Sequence, residues 1–120
     1  MRVSYAIVFV SDMARSASFY GEVLGLPMGF SSPDWTEFAT DGATLALHLA
    51  GATAKDLEAL PAGRCRPGFR VPDLADFHRR LVERQVTCVQ EPTPVFGHLV
   101  AQYADPDGLV ISVGEEPRRP

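Results

Sequence analysis

"YAIVFVSD" at residues 5–12 and "RPGFRVPD" at residues 66–73 share one plan: an extended run that closes on an aspartate. An amphipathic stretch follows each. In "MARSASFYGEVLG" (13–25), Ala17, Tyr20 and Leu24 recur at steps of three and four, the spacing of one helix face. Asp12 is placed to cap that helix and Gly25 to stop it. In "LADFHRRLVERQ" (74–85), Leu74, Phe77 and Leu81 form the stripe and Asp73 is the cap. "GLPMGF" (25–30) and "VTCVQEP" (86–92) read as the strands that leave the two helices. Each half ends in a strand pair: "DWTEFAT" and "TLALHLA" joined through "TDGA", then "HLVAQYA" and "LVISVGE" joined through "DPDG". Asp-Gly between apolar runs signals a hairpin, because glycine takes a positive φ at little cost.

The chain therefore predicts an α+β fold of paired βαβββ modules. The first module spans residues 1–50 and the second 66–115, with a linker at 51–65 and a tail at 116–120. Within the linker, "AKDLEAL" is expected to form a helical turn. A four-stranded sheet with one helix covers only one of its faces, so the other must meet something else. Two curved mixed sheets together would make a concave trough, with side chains alternating between trough and helix along every strand. Alternation puts Tyr5, Ile7 and Phe9 on the trough side, with Ala6 and Val8 under the helix. It groups Arg66, Gly68 and Arg70 against Pro67, Phe69 and Val71; Thr44, Ala46 and His48 against Leu45, Leu47 and Leu49; and Val110 and Ser112 against Leu109, Ile111 and Val113.

Composition excludes several classes. The chain has 120 residues, 46% hydrophobic and 22% charged, which suits one compact domain with a buried core. A net charge of -4 matches nucleic acid poorly. No apolar run approaches the roughly 20 residues that span a bilayer. The N-terminal apolar run ends at Asp12 with no small-residue cleavage site, so it reads as a strand and the expected compartment is the cytoplasm. Cys65 and Cys88 are then free thiols, without the spacing of a zinc or redox pair. There is no Gly-rich phosphate loop, G-x-S-x-G elbow or HExxH motif.

"VFVSDMARSASFYGEVLGL" in the first half, with "FRVPDLADFHRRLVERQV" and "QYADPDGLVISV" in the second, resembles the vicinal oxygen chelate superfamily. That family includes glyoxalase I, bleomycin-resistance proteins, fosfomycin-resistance enzymes and extradiol dioxygenases. The resemblance implies the paired-module fold, a homodimer, and in metal-using members four inward ligands from the first and last strand of each module. Counting seven residues back from the aspartates gives Tyr5 and Arg66, and the closing strands give His48 and Ser112. Only His48 suits a divalent metal; Arg66 is a permanent cation, and Tyr5 and Ser112 are weak donors. No metal cofactor is therefore expected.

Among the remaining polar residues, His48 is either a ligand partner and general base or a histidine satisfied by a backbone carbonyl. His78, beside Arg79 and Arg80, reads as a solvated helix-face residue, and His98 as a loop residue. Arg66 and Arg70 either clamp an oxyanion or pair with Glu37 or another acid. Tyr5, Phe9, Trp35 and Phe38 offer an aromatic wall, or plain core. The expected function is binding of a small aromatic or amphipathic molecule through Tyr5, Ile7, Phe9, Trp35, His48, Arg66 and Ser112. The alternative is an enzyme (lyase, isomerase or dioxygenase), with metal ligands from a partner subunit or metal-free with His48 as acid/base.

Overall fold

The computed structural model describes residues 3–50, 66–95 and 97–117; the linker and its expected helical turn lie outside them. The chain divides into two compact units, Met1–Arg64 and Cys65–Pro120. Among the described residues no helix is long and apolar enough to cross a membrane.

The first unit runs β1 (Tyr5–Val10), α1 (Met13–Ser18), a π turn (Phe19–Val23), β2 (Met28–Ser31), β3 (Trp35–Phe38) and β4 (Thr44–Leu49). Its sheet has the order β1-β4-β3-β2, with β1 and β4 parallel and the other pairs antiparallel. Asp12 caps α1 as expected: its Oδ1 accepts from the Arg15 N–H at 3.1 Å. The buried stripe is different from the one predicted. Ser16, Phe19 and Tyr20 are buried, while Ala17 and Leu24 are only half-buried. Ser16, Phe19 and Tyr20 keep the ordinary helical spacing, and Leu24 is displaced by the π turn that follows α1, in which the Leu24 N–H donates to the Phe19 carbonyl at 2.9 Å. One wider turn rotates every later side chain relative to a 3.6-residue period. Gly25 ends the helix at φ 86°, as anticipated. Val8, Val10, Phe38, Leu45 and Leu47 complete the buried layer under the helix.

The second unit runs β5 (Gly68–Val71), α2 (Leu74–Glu83), β6 (Cys88–Val95), β7 (His98–Ala104) and β8 (Val110–Glu115), with sheet order β5-β8-β7-β6. Leu74, Phe77 and Leu81 are buried against Ala101, Tyr103, Ile111 and Val113, so this stripe lies where the periodicity puts it. "DPDG" forms the β7–β8 turn. Asp105 Oδ1 accepts from the N–H groups of Asp107 (2.9 Å) and Leu109 (2.8 Å), and Gly108 sits at φ 84°. "TDGA" also turns the chain, but Gly42 takes no positive φ; the Thr40 hydroxyl accepts its N–H instead.

His78 is not merely solvated. Its Nδ1 shares a 2.8 Å hydrogen bond with the hydroxyl of buried Tyr103, tying α2 to β7. The start of α2 is held twice. Asp73 Oδ1 accepts from the Asp76 N–H, and Glu115 Oε2, from β8, accepts from the Leu74 N–H, both at 3.0 Å. Asp73→Ala is expected to cost about 1 kcal/mol, since Glu115 still serves a different N–H. Urea unfolding of the variant checks this; an unchanged midpoint means that the cap adds nothing beyond Glu115.

Candidate functional site

In both units one sheet face packs under a helix, and among the described residues no helix covers the other. On the first unit this open face is aromatic. Tyr5 (51%), Ile7 (48%), Phe9 (65%) and Phe30 (54%) all keep about half or more of their surface exposed. Tyr5, Ile7 and Phe9 occupy alternate β1 positions, opposite the buried Val8 and Val10. Phe30 was not anticipated: a bulge between Met28 and Phe30 shifts the register, so Met28 pairs with Phe38 and Phe30 with Glu37.

Pairing aligns Phe9, His48 and Trp35 on one rung across β1, β4 and β3. The His48 ring lies 5.3 Å from that of Phe9 and 5.8 Å, edge to face at 89°, from that of Trp35. Tyr5 pairs with Thr44, yet its ring is 6.5 Å from the Trp35 ring. That contact runs diagonally over the Ile7–Ala46–Glu37 rung, and Ala46 is fully buried although it sits on the helix-free face. Trp35 is held from its edge, because its Nε1–H donates to Glu37 Oε2 at 2.8 Å. Phe38, the fourth member of the expected wall, is core.

His48 is exposed, and its Nδ1 lies 2.8 Å from the Leu49 carbonyl oxygen. A carbonyl only accepts, so Nδ1 carries the proton, and in the neutral ring Nε2 keeps its lone pair. Both sequence readings of this histidine thus meet in one side chain: a backbone carbonyl satisfies one nitrogen, and the other is left as an acceptor or base.

On the second unit the open face mixes polar groups with Val100, Ala104 and Val110. Gly68, Ser112, Gln102 and Gln90 form a rung across β5, β8, β7 and β6. Ser112 is half-buried, and its N–H donates to the Pro67 carbonyl at 3.0 Å. The ladder therefore reaches Pro67, and alternation carries exposed Arg66, just before β5, to the side of Gly68 and Arg70.

The register separates two residues that alternation treats alike. Ile7 and Gly68 each lie five residues before a capping aspartate, and their β4 and β8 partners are Ala46 and Ser112. Ser112 is therefore the counterpart of Ala46. His48 corresponds to Gly114, one pair further along. The equivalent positions are then Tyr5, Ala46, Arg66 and Ser112, without a histidine or carboxylate. Among the described residues no group of three His, Cys, Asp or Glu side chains is placed to hold a metal. These residues do not fit a divalent ion.

Cys88 is a free thiol whose pKa is pushed up, chiefly by burial and further by the Glu91 carboxylate. That opposes thiolate chemistry. An open surface hollow of about 430 Å³, bordered by Ala17, Gly21 and Met28, lies beside the first helix and away from the aromatic face.

Two βαβββ units, each with a helix on one face of its four-stranded sheet, recur in one superfamily. Residues 2–113 match the model of the Glyoxalase/Bleomycin resistance protein/Dioxygenase superfamily, and the chain belongs to it. Among solved structures it is similar to a glyoxalase/dioxygenase from Nostoc punctiforme (22% identity, TM-score 0.83, covering 98% of this chain and 92% of that one). It is also similar to a lactoylglutathione lyase from Agrobacterium tumefaciens (19%, 0.75, 94% and 92%). A third match is a protein of unknown function from Agrobacterium tumefaciens str. C58 (27%, 0.79, 98% and 95%). No curated protein matches the chain.

Proposed function

We propose that this protein binds a small aromatic or amphipathic molecule against the open face of its first unit, without the metal used elsewhere in the superfamily. The carrying observation is the set of exposed rings on and around the Phe9–His48–Trp35 rung, with the indole held by Glu37. Rings in water gain by stacking, and offset or edge-on pairs add about 0.5–1.5 kcal/mol each beyond burial. A few polar atoms in an apolar site set orientation, and the His48 Nε2 and Glu37 carboxylate supply them here.

Trp35 is the only tryptophan in the chain, so its fluorescence reports directly on this face. A neutral nitroaromatic such as 4-nitrobenzyl alcohol is expected to quench it saturably. Phe9→Ala should weaken that binding about ten-fold. Quenching that stays linear in probe concentration, and is the same in both proteins, is merely collisional and removes the reading.

A second reading, metal-free acid/base catalysis by His48, is supported by the Nδ1–Leu49 hydrogen bond, which leaves Nε2 basic. Its mark is an activity on a bound aromatic that His48→Ala abolishes while binding persists. Equal turnover by both proteins excludes it.

A further inference from the structure

Gly68 and Gly114 stand in regular strand pairing on the open face of the second unit, with no bulge beside either. Neither adopts a positive φ. Among the described residues a Cβ added at Gly68 would meet nothing within 4 Å, and one at Gly114 would make only ordinary contacts, 3.8 Å to the Leu99 carbonyl and 3.9 Å to that of Phe69. The fold therefore requires glycine at neither position, although glycine weakens a strand. A bare strand position of this kind suits something that must come close to the backbone.

The neighbours indicate what comes close. Arg66 and Arg70 bracket Gly68 along the chain, and Arg70 pairs with Gly114. The α2 arginines behave otherwise, since Arg79 and Arg80 pair with Asp76 and Glu83. Among the described residues neither Arg66 nor Arg70 has a carboxylate partner. Glu37, an acid named above as a possible partner, accepts the Trp35 indole N–H. The two arginine Cα atoms are about 13 Å apart along an extended chain, a gap that two long side chains can close from either end. Ser112 and Gln102 lie on the Gly68 rung with a hydroxyl and an amide to donate. Forked guanidinium donors over a side-chain-free floor match a planar or tetrahedral oxyanion.

We propose that the second unit carries an oxyanion seat, floored by Gly68 and Gly114 and held by Arg66 and Arg70, with Ser112 and Gln102 beside it. It takes the carboxylate or phosphate group of a small molecule. The seat stands independently of the aromatic face, since it shares no residue with it.

The test follows the arginine Nε–H signals of the full chain during titration with sodium acetate, sodium phosphate and, at matched ionic strength, sodium chloride. Saturable shifts at Arg66 and Arg70 are expected with at least one oxyanion and not with chloride. Saturation by acetate alone identifies a carboxylate seat, by phosphate alone a phosphate seat, and by both a general one. Arg70→Gln, at an exposed position, should weaken binding about ten-fold. Gly68→Leu should weaken it at least as much, with an unchanged urea midpoint. Shifts that chloride reproduces, or wild-type affinity in Arg70→Gln, overturn the proposal. So does a Gly68→Leu protein that loses stability, because the glycine then serves packing against another part of the chain.

Discussion

Phe38→Ala lowers the stability of the protein by about 3–5 kcal/mol, seen as a large drop in the urea midpoint at unchanged slope. Phe38 is fully buried, pairs with Leu45 on β4, and lies 6.5 Å ring to ring from the buried Tyr20. Truncation removes its apolar surface and leaves a void that rigid strands cannot collapse into. The neighbouring glycine gives a sharper readout. A Cβ on Gly21, in the π turn, would stand only 3.1 Å from Phe38 Cε1. In the wild type, Gly21→Ala therefore trades a gain in helix propensity of up to about 1 kcal/mol against that crowding. In the Phe38→Ala background the crowding atom is gone and the added methyl enters the void. Gly21→Ala should then stabilise, with a favourable coupling of about 1 kcal/mol in the double-mutant cycle. Strict additivity would show that Phe38 does not limit position 21.

The fold was legible because its signals are local and occur twice. Asp12 and Asp73 each accept the N–H three residues on, as a helix cap must, and "DPDG" places Gly108 in the left-handed region. α2 also obeys its periodicity, because nothing interrupts its turns. The end of the first helix does not, since no composition rule announces that the Leu24 N–H will reach back to Phe19 rather than Tyr20. His78 shows a different limit. Two arginines follow it in the chain, yet its partner is Tyr103, 25 residues away on β7. A contact of that kind depends on how a helix lies across a sheet, which is a tertiary fact.

Alternation along β1 and β4 identified the faces of Tyr5, Ile7, Phe9 and His48, because a strand period of two is fixed by backbone geometry. It could not identify the rung. Ala46 and His48 share a face, and only the parallel pairing with β1 shows that Ala46 answers to Ser112. A parallel strand pair has no connecting turn to set its register, so the sequence between the strands carries no such information. Phe30 was hidden for a related reason: a bulge beside it breaks the alternation of β2.

Tyr103 makes the protein labile to alkali in a way that its phenylalanine variant is not. Burial, and secondarily the Cys88 thiolate, push the Tyr103 pKa from 10.0 up to about 12. Unfolding returns the hydroxyl to water and to its ordinary value. Below about pH 10 both states hold the proton and the difference is silent. Above it the unfolded chain gives the proton up while the folded chain keeps it, so stability falls as pH rises through about 12. The loss is about 2 kcal/mol at about pH 11.5. Tyr103→Phe removes the titrating group and the hydrogen bond to His78 together. At about pH 8 the variant should be less stable by about 1 kcal/mol, the net worth of that bond. At about pH 11.5 the order should invert, with the variant ahead by about 1 kcal/mol. The two proteins differ only at position 103, so the comparison isolates the Tyr103 hydroxyl. Urea midpoints at the two pH values decide it, and parallel losses in both proteins would mean that the Tyr103 hydroxyl reaches water in the folded state.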